Sequence, residues 1–229
     1  SIDGASKRVY EKIRAGGNWE QLNENLDLFK QKMAVKSYGL SINMTMSKDN
    51  CHEVGALIEH FRSYVDTPYE NLRINMINSL SPDPSYFDEV NLFPHHTYKN
   101  LPCNFVTQPM PYVHIDGRVS ICCRDYDGSM VLGDLQTQTL QEIHSNKSLQ
   151  NLRAAHRTGD LAAYPLCDTC YVIDRRVDNV YSNLIRYILY KHPDAPGTYY
   201  QEKSDEFIRL FQEKPDANLP ELYGKLYTN

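Results

Sequence analysis

The chain has 229 residues, 41% of them hydrophobic and 23% charged, which allows one large domain or two small ones with a real core. A formal charge of -5 and a pI of about 5.9 give no chain-wide basic field, so neither nucleic acid nor an anionic membrane is an expected partner. No apolar run approaches the roughly 18 to 20 residues that span a bilayer and no charged-then-apolar leader opens the sequence, so the expected location is cytoplasmic.

The first hundred residues alternate between helix and strand signals. The opening SIDG reads as the tail of a strand entering a loop, and with no methionine before Ser1 we expect part of a longer parent protein upstream. In ASKRVYEKIRA, Val9, Tyr10 and Ile13 share one helical face, and Gly16-Gly17 ends that helix. Asn18 with Gln21 resembles a capping box. Trp19, Leu22, Leu26, Phe29 and Met33 then recur at helical spacing and predict a buried stripe. YGLSINMTM, residues 38–46, reads as a buried strand. A helix follows over residues 51–64 with Val54, Leu57, Ile58 and Phe61 inward, then a further strand in NLRINMIN. This order predicts an α/β fold with parallel strands joined by crossovers, either a doubly wound sheet or part of a (β/α) barrel, and periodicity does not choose between them.

The proline-containing SLSPDPSYFDEVNLFPHH predicts a linker, dividing the chain into residues 1–97, 98–174 and 175–229. In the middle region the signals are short: PYVHI, a hairpin turn at Asp116-Gly117, RVSICC, then MVLGDL. A helical stretch follows with Leu140, Ile143, Leu149 and Leu152 inward. After Asp174 the sequence is tyrosine-rich and reads as a helical tail broken by HPDAPG and KPDANLP.

Six cysteines are too few and too unevenly spaced for a disulfide scaffold, which points to metal or redox chemistry in a reducing compartment. Cys103 stands at the entrance of the middle region. Gly117 is followed by four residues and then Cys122, and CDTC supplies Cys167 and Cys170. Two residues between cysteines let both sulfurs face one centre from a tight loop, so these four form a candidate thiolate set. Zinc and an iron-sulfur cluster both accept four cysteines, and spacing does not separate them. Neighbouring residues on a strand end face opposite sides, so Cys122 reads as the ligand and Cys123 as packing. Cys51 reads as a buried or half-buried structural thiol. Asp125 is a candidate proton acceptor, with turn capping as its alternative. His114, His144 and His156 read as satisfied polar or surface residues, and His95-His96 lacks a convincing metal spacing.

CNFVTQPMPYVHIDGRVSICCRD, VLGDLQTQTLQEIHS, LRAAHRTGDL and CDTC together resemble the SPASM/twitch domain of radical S-adenosylmethionine (SAM) enzymes. SIDGASKRVYEKIRAGGNWEQLNENLDLF resembles the middle of their barrel, from its fourth strand onward. The resemblance implies that Cys103, Cys122, Cys167 and Cys170 hold one auxiliary 4Fe-4S cluster. With no cysteine after Cys170, the likeness is to the shorter, single-cluster form. It further implies that Ser1, Asn43 and Met76 lie near SAM, and that the protein is an oxidoreductase acting on a small molecule or peptide, with an electron donor such as flavodoxin or ferredoxin. The family's three-cysteine motif and glycine-rich SAM loop are absent from this sequence. The second 4Fe-4S cluster, SAM and the missing barrel half are therefore expected in the full-length parent or another subunit. The alternatives are a four-cysteine zinc module that recognises a partner, and a remnant scaffold without chemistry.

Overall fold

In the computed structural model, which describes residues 1–33, 39–77, 89–93, 102–108, 110–168, 170 and 176–213, the first helix begins where Ser6 turns its hydroxyl onto the Val9 amide. That cap satisfies one of the donors a helix start leaves open, and α1 runs Lys7–Ile13. Gly16, at φ 85°, makes the turn that follows. The Asn18 carboxamide accepts from the Gln21 amide at 2.8 Å to open α2, Trp19–Met33. The predicted stripe holds for Leu26, which is buried, and for Trp19 and Leu22, which pack against the core, but it breaks at Phe29, 37% exposed. The Met33 side chain lies outside the described residues.

Strand β1, Ile42–Met46, pairs in parallel with β2, Leu72–Met76, in the register Ile42 to Leu72 through Met46 to Met76. A parallel pair needs a crossover, supplied by a short 3-10 turn at Cys51–Glu53, α3 (Val54–Phe61), a second turn at Arg62–Tyr64 and α4 (Pro68–Asn71). Period-two alternation divides the pair's faces. Ile42, Met44, Met46, Leu72, Ile74 and Met76 are buried, while Asn43, Thr45, Arg73 and Asn75 form the opposite, polar face. The SIDG segment runs beside β1: the Ile2 amide donates to the Asn43 carbonyl at 2.7 Å, and Asp3 Oδ1 accepts from the Thr45 amide at 2.7 Å. Asn50 donates to the Asp3 and Thr45 carbonyls and Glu53 accepts from the Ala5 amide, so the opening loop is tied to the sheet.

The middle region is built on an antiparallel hairpin. Cys103 precedes the single turn α5, Asn104–Thr107, and β3 (Tyr112–Val113) pairs with β4 (Arg118–Ser120), which pairs with β5 (Val131–Asp134). The connection is a three-residue loop closed by His114 N donating to Arg118 O at 2.8 Å and Gly117 N donating to His114 O at 3.0 Å. Gly117 takes the left-handed conformation this loop type requires, at φ 90°. The expected helical stretch after β5 forms as two helices. Thr139 and Glu142 form a reciprocal capping box at α6, Leu140–Ser145, and Asn146 ends it while capping α7, Lys147–Thr158, through the Leu149 amide. Ile143, Leu149 and Leu152 are buried as expected, whereas Leu140 is 48% exposed. Helix α8, Pro165–Asp168, follows.

Helices α9 (Arg176–Lys191) and α10 (Gly197–Glu213) complete the chain's described part. They do not stand as a separate tail. The molecule divides into two compact units, one formed by Ser1–Ile77, 89–93 and 176–213, the other by 102–108, 110–168 and 170. In the first unit α9 packs on β2 and α4, and α10 on α3. Tyr181, Leu184, Ile185, Tyr200 and Phe207 enter the same core as Met44, Ile58 and Phe61. The reason is the apolar sheet face, which needs a cover that the local sequence does not supply. The architecture is mixed α/β with small sheets, and no closed barrel forms among the described residues. The proposed linker, His95-His96 and KPDANLP fall largely or wholly outside the described residues.

Candidate metal centre

Four segments of the second unit converge on one apolar cluster. Val106 from α5, Ile121 after β4, Leu149 and Leu152 from α7, Leu161 and Cys167 form its buried centre, with Cys103 and Cys122 packed against it. Cys103 caps α5, its carbonyl accepting from the Val106 and Thr107 amides. Cys167 sits in α8 with its amide on the Tyr164 carbonyl, and the Cys170 amide donates to the Cys167 carbonyl at 3.2 Å. All six cysteines are free thiols, so the set is not locked in disulfides.

The thiols sense one another. Burial pushes Cys167 up to about 12, and its proximity to Cys122, Cys170 and Cys103 adds to the rise, while the positive charge of Arg124 opposes it. Cys122 is raised as well, first by burial and then by Cys170 and Cys123. Such a group stays protonated at neutral pH unless a cation takes the place of the protons. Soft sulfur donors in an apolar wall suit zinc or iron-sulfur chemistry. A single zinc would gather its sulfurs at about 2.3 Å from one point, and among the described residues no three potential ligands are grouped for one ion.

Cys122 does not sit on a strand. Strand β4 ends at Ser120 after a register shift between Val119 and Ser120, and residues 121–124 form a turn closed by the Asp125 amide on the Cys122 carbonyl at 3.2 Å. That corrects the expectation for Cys123, which is exposed and not packed. Asp125 holds the turn. Fully buried, its carboxylate accepts from Ser120 Oγ at 2.5 Å, Ser129 Oγ at 2.8 Å and the Met130 amide at 3.0 Å. Burial alone would raise its pKa, but the hydrogen bonds outweigh it and hold the carboxyl below its usual range. With both oxygens spent on the loop, Asp125 is placed as a positioning residue and not as a base facing solvent. Sequence reasoning missed Arg124. It is 2% exposed, and its Nη1 donates to the Leu166 carbonyl at 3.2 Å, joining the Cys122 turn to the helix that carries Cys167.

The histidines stand outside this set. His114 Nε2 meets Ser120 Oγ at 2.8 Å, and exposed His144 approaches Arg153 Nη2 at 3.3 Å. His156 departs from expectation: it is buried, and neither ring nitrogen has a hydrogen-bond partner. In the first unit Asn43 lies on the polar face of the sheet and Ser1 is exposed, whereas Met76 lies on the apolar face in the core. The strand pleat that points Asn43 outward points Met76 the other way.

This small unit sets Cys103, Cys122 and Cys167 among aliphatic side chains. Residues 103–171 match the family model of SPASM, an iron-sulfur cluster-binding domain, and this part of the chain is a domain of the SPASM/twitch type. Searches among curated proteins and among solved structures found no match.

Proposed function

We propose that the chain is part of a radical SAM oxidoreductase and binds one auxiliary 4Fe-4S cluster through Cys103, Cys122, Cys167 and Cys170. The observation that carries this reading is the gathering of Cys103, Cys122 and Cys167 in one apolar cluster, with the Cys170 amide on the Cys167 carbonyl, inside the SPASM-matching unit. Each thiolate of a cubane binds a different iron, so a cluster spreads its ligands more widely than one ion does. When bound, the cluster supplies an electron-transfer centre or a site for substrate. The chain's own contribution is to hold the thiolates, to keep water off them with Val106, Ile121, Leu149 and Leu152, and to fix the Cys122 turn through Asp125.

SPASM domains occur in radical SAM enzymes, and the parallel strands with their polar face agree with a portion of a (β/α) barrel. Asn43 and Ser1 belong to our proposed SAM side. Met76 would contribute there only as support from the core. The remaining barrel, SAM and the second 4Fe-4S cluster would come from the parent chain or another subunit, with a small molecule or peptide as substrate and flavodoxin or ferredoxin as electron donor. A cytoplasmic location fits the free thiols, and among the described residues no helix is long and apolar enough to cross a membrane. Anaerobic purification should give brown protein with about four iron and four sulfide per chain, lost in Cys122→Ala and Cys167→Ala. Colourless protein carrying one zinc and no sulfide would select the zinc module instead.

A further inference from the structure

We propose that the SPASM-matching unit carries a binding site for a small apolar carboxylic acid, its hydrocarbon body in the cavity between the hairpin sheet and α6 and its carboxylate on Arg153. The cavity measures about 260 Å³. Val119 of β4, Ile121 just beyond it, Leu132 of β5, Leu140 and Ile143 of α6 and Leu149 of α7 give it an aliphatic lining. Ser120 also reaches the cavity, but its hydroxyl is committed, donating to Asp125 Oδ2 and meeting His114 Nε2 at 2.8 Å. Water held inside a protein needs several polar partners, which this wall does not offer, so the space favours an apolar occupant. A dry aliphatic cavity of about 150 Å³ takes one benzene ring, so about 260 Å³ holds about ten non-hydrogen atoms.

The edge of the cavity supplies the charge. His144 lines it, and His144 Nε2 stands 3.3 Å from Arg153 Nη2. An arginine nitrogen only donates, so the imidazole accepts there and is neutral. Arg153 Nε donates to the Val106 carbonyl at 3.2 Å, another neutral partner, and among the described residues no carboxylate is paired with this guanidinium. The acid on α6, Glu142, is turned onto the Thr139 cap. Arg153 is half-buried and held through Nε and Nη2, which fixes a cation beside an apolar pocket with Nη1 still to be used. The guanidinium fork matches a carboxylate in shape as well as charge. Ile121 and Leu149 also belong to the apolar cluster on which Cys103 and Cys122 pack, so the pocket and the thiols share side chains. Binding there needs no metal.

The test is isothermal titration calorimetry of the full chain with 3-phenylpropanoate, and with 3-phenylpropanamide as the uncharged molecule of the same shape. The acid should bind saturably and the amide about tenfold or more weakly, the worth of a charge-assisted hydrogen bond. Arg153→Gln should bring the acid down to the amide. Leu140→Trp, at a position 48% exposed on the cavity lining, should fill the opening and weaken both. An acid that does not saturate, an acid and amide of equal affinity, or a preference that survives Arg153→Gln overturns the proposal. So does undiminished binding in Leu140→Trp, or a peptide ending in phenylalanine that binds where the free acid does not. Should either variant fail to fold, as judged by thermal melting, the acid-to-amide ratio of the wild type decides: a ratio near one overturns the site.

Discussion

Gly55→Ala should destabilise the first unit by about 2 to 4 kcal/mol, although alanine is the better helix former by ~1 kcal/mol. Gly55 lies in α3 where α10 begins. An added Cβ would fall inside the contact envelope of the Gly197 carbonyl oxygen, 2.8 Å from the Gly197 carbonyl carbon and 3.0 Å from Gln201 Cβ. Both obstacles belong to α10, so the helix must recede. Receding stretches three bonds that fasten it: Gly55 N to Gln201 Oε1 at 3.0 Å, Gly197 N to Glu59 Oε2 at 3.0 Å and Gln201 Nε2 to the Cys51 carbonyl at 2.9 Å. Overpacking costs roughly 1 to 3 kcal/mol and each weakened bond up to about 1, so the loss exceeds the propensity gain. Trp19 is the chain's single tryptophan and packs against Tyr10 and Phe61 in this unit, so its fluorescence during urea unfolding reports the right body. A Gly55→Ala midpoint equal to or above the wild type would refute the close helix contact.

Replacing the exposed Cys123 or the distant Cys51 by alanine should leave iron and sulfide at wild-type levels; loss of iron in either variant would revise the ligand set. Asp125→Asn should cost roughly 2 to 3 kcal/mol by putting an amide donor against the Ser120, Ser129 and Met130 donors. Because the folded carboxyl lies below its ordinary 3.8, its contribution is complete above that value and is lost as pH falls through the lowered folded value. Acid unfolding curves of wild type and Asn variant should therefore converge, and parallel curves would contradict the assignment. His156→Leu should raise stability by about 1 kcal/mol at neutral pH, since the ring is buried without hydrogen bonds. Burial lowers the folded His156 pKa from 6.5, so the unfolded chain protonates first and wild-type stability declines below that pH. A Leu variant with the same decline, measured by urea midpoints at pH 7 and 5, would count against this.

The parts of the molecule legible in its sequence are those fixed by local rules. The glycine five residues before Cys122 reveals its hairpin because a three-residue loop needs one left-handed position, and the Cys-x-x-Cys spacing brings the Cys170 amide onto the Cys167 carbonyl. The alternation in INMTM and LRINM shows two strands, though not which face each residue takes once helices settle on one side, which is why Met76 and Asn43 part company. Nothing local in RVSICCRD signals that the strand stops at Ser120. That stop depends on Asp125 collecting donors from Ser129 and Met130 across the loop. Arg124 was invisible for a similar reason, its partner lying 42 positions away. The return of α9 and α10 to the first unit depends on contacts spanning more than a hundred residues, such as Ser182 Oγ to the Ile74 carbonyl.

That return has a consequence for biosynthesis. Every described segment of the cysteine-bearing unit leaves the ribosome before α9 and α10 of the other body have been made. The cluster pocket can therefore assemble while its neighbour still lacks the cover over its apolar strands. Metal loading and completion of the first core become sequential events, and the nascent chain must shelter unfinished hydrophobic surface during the interval.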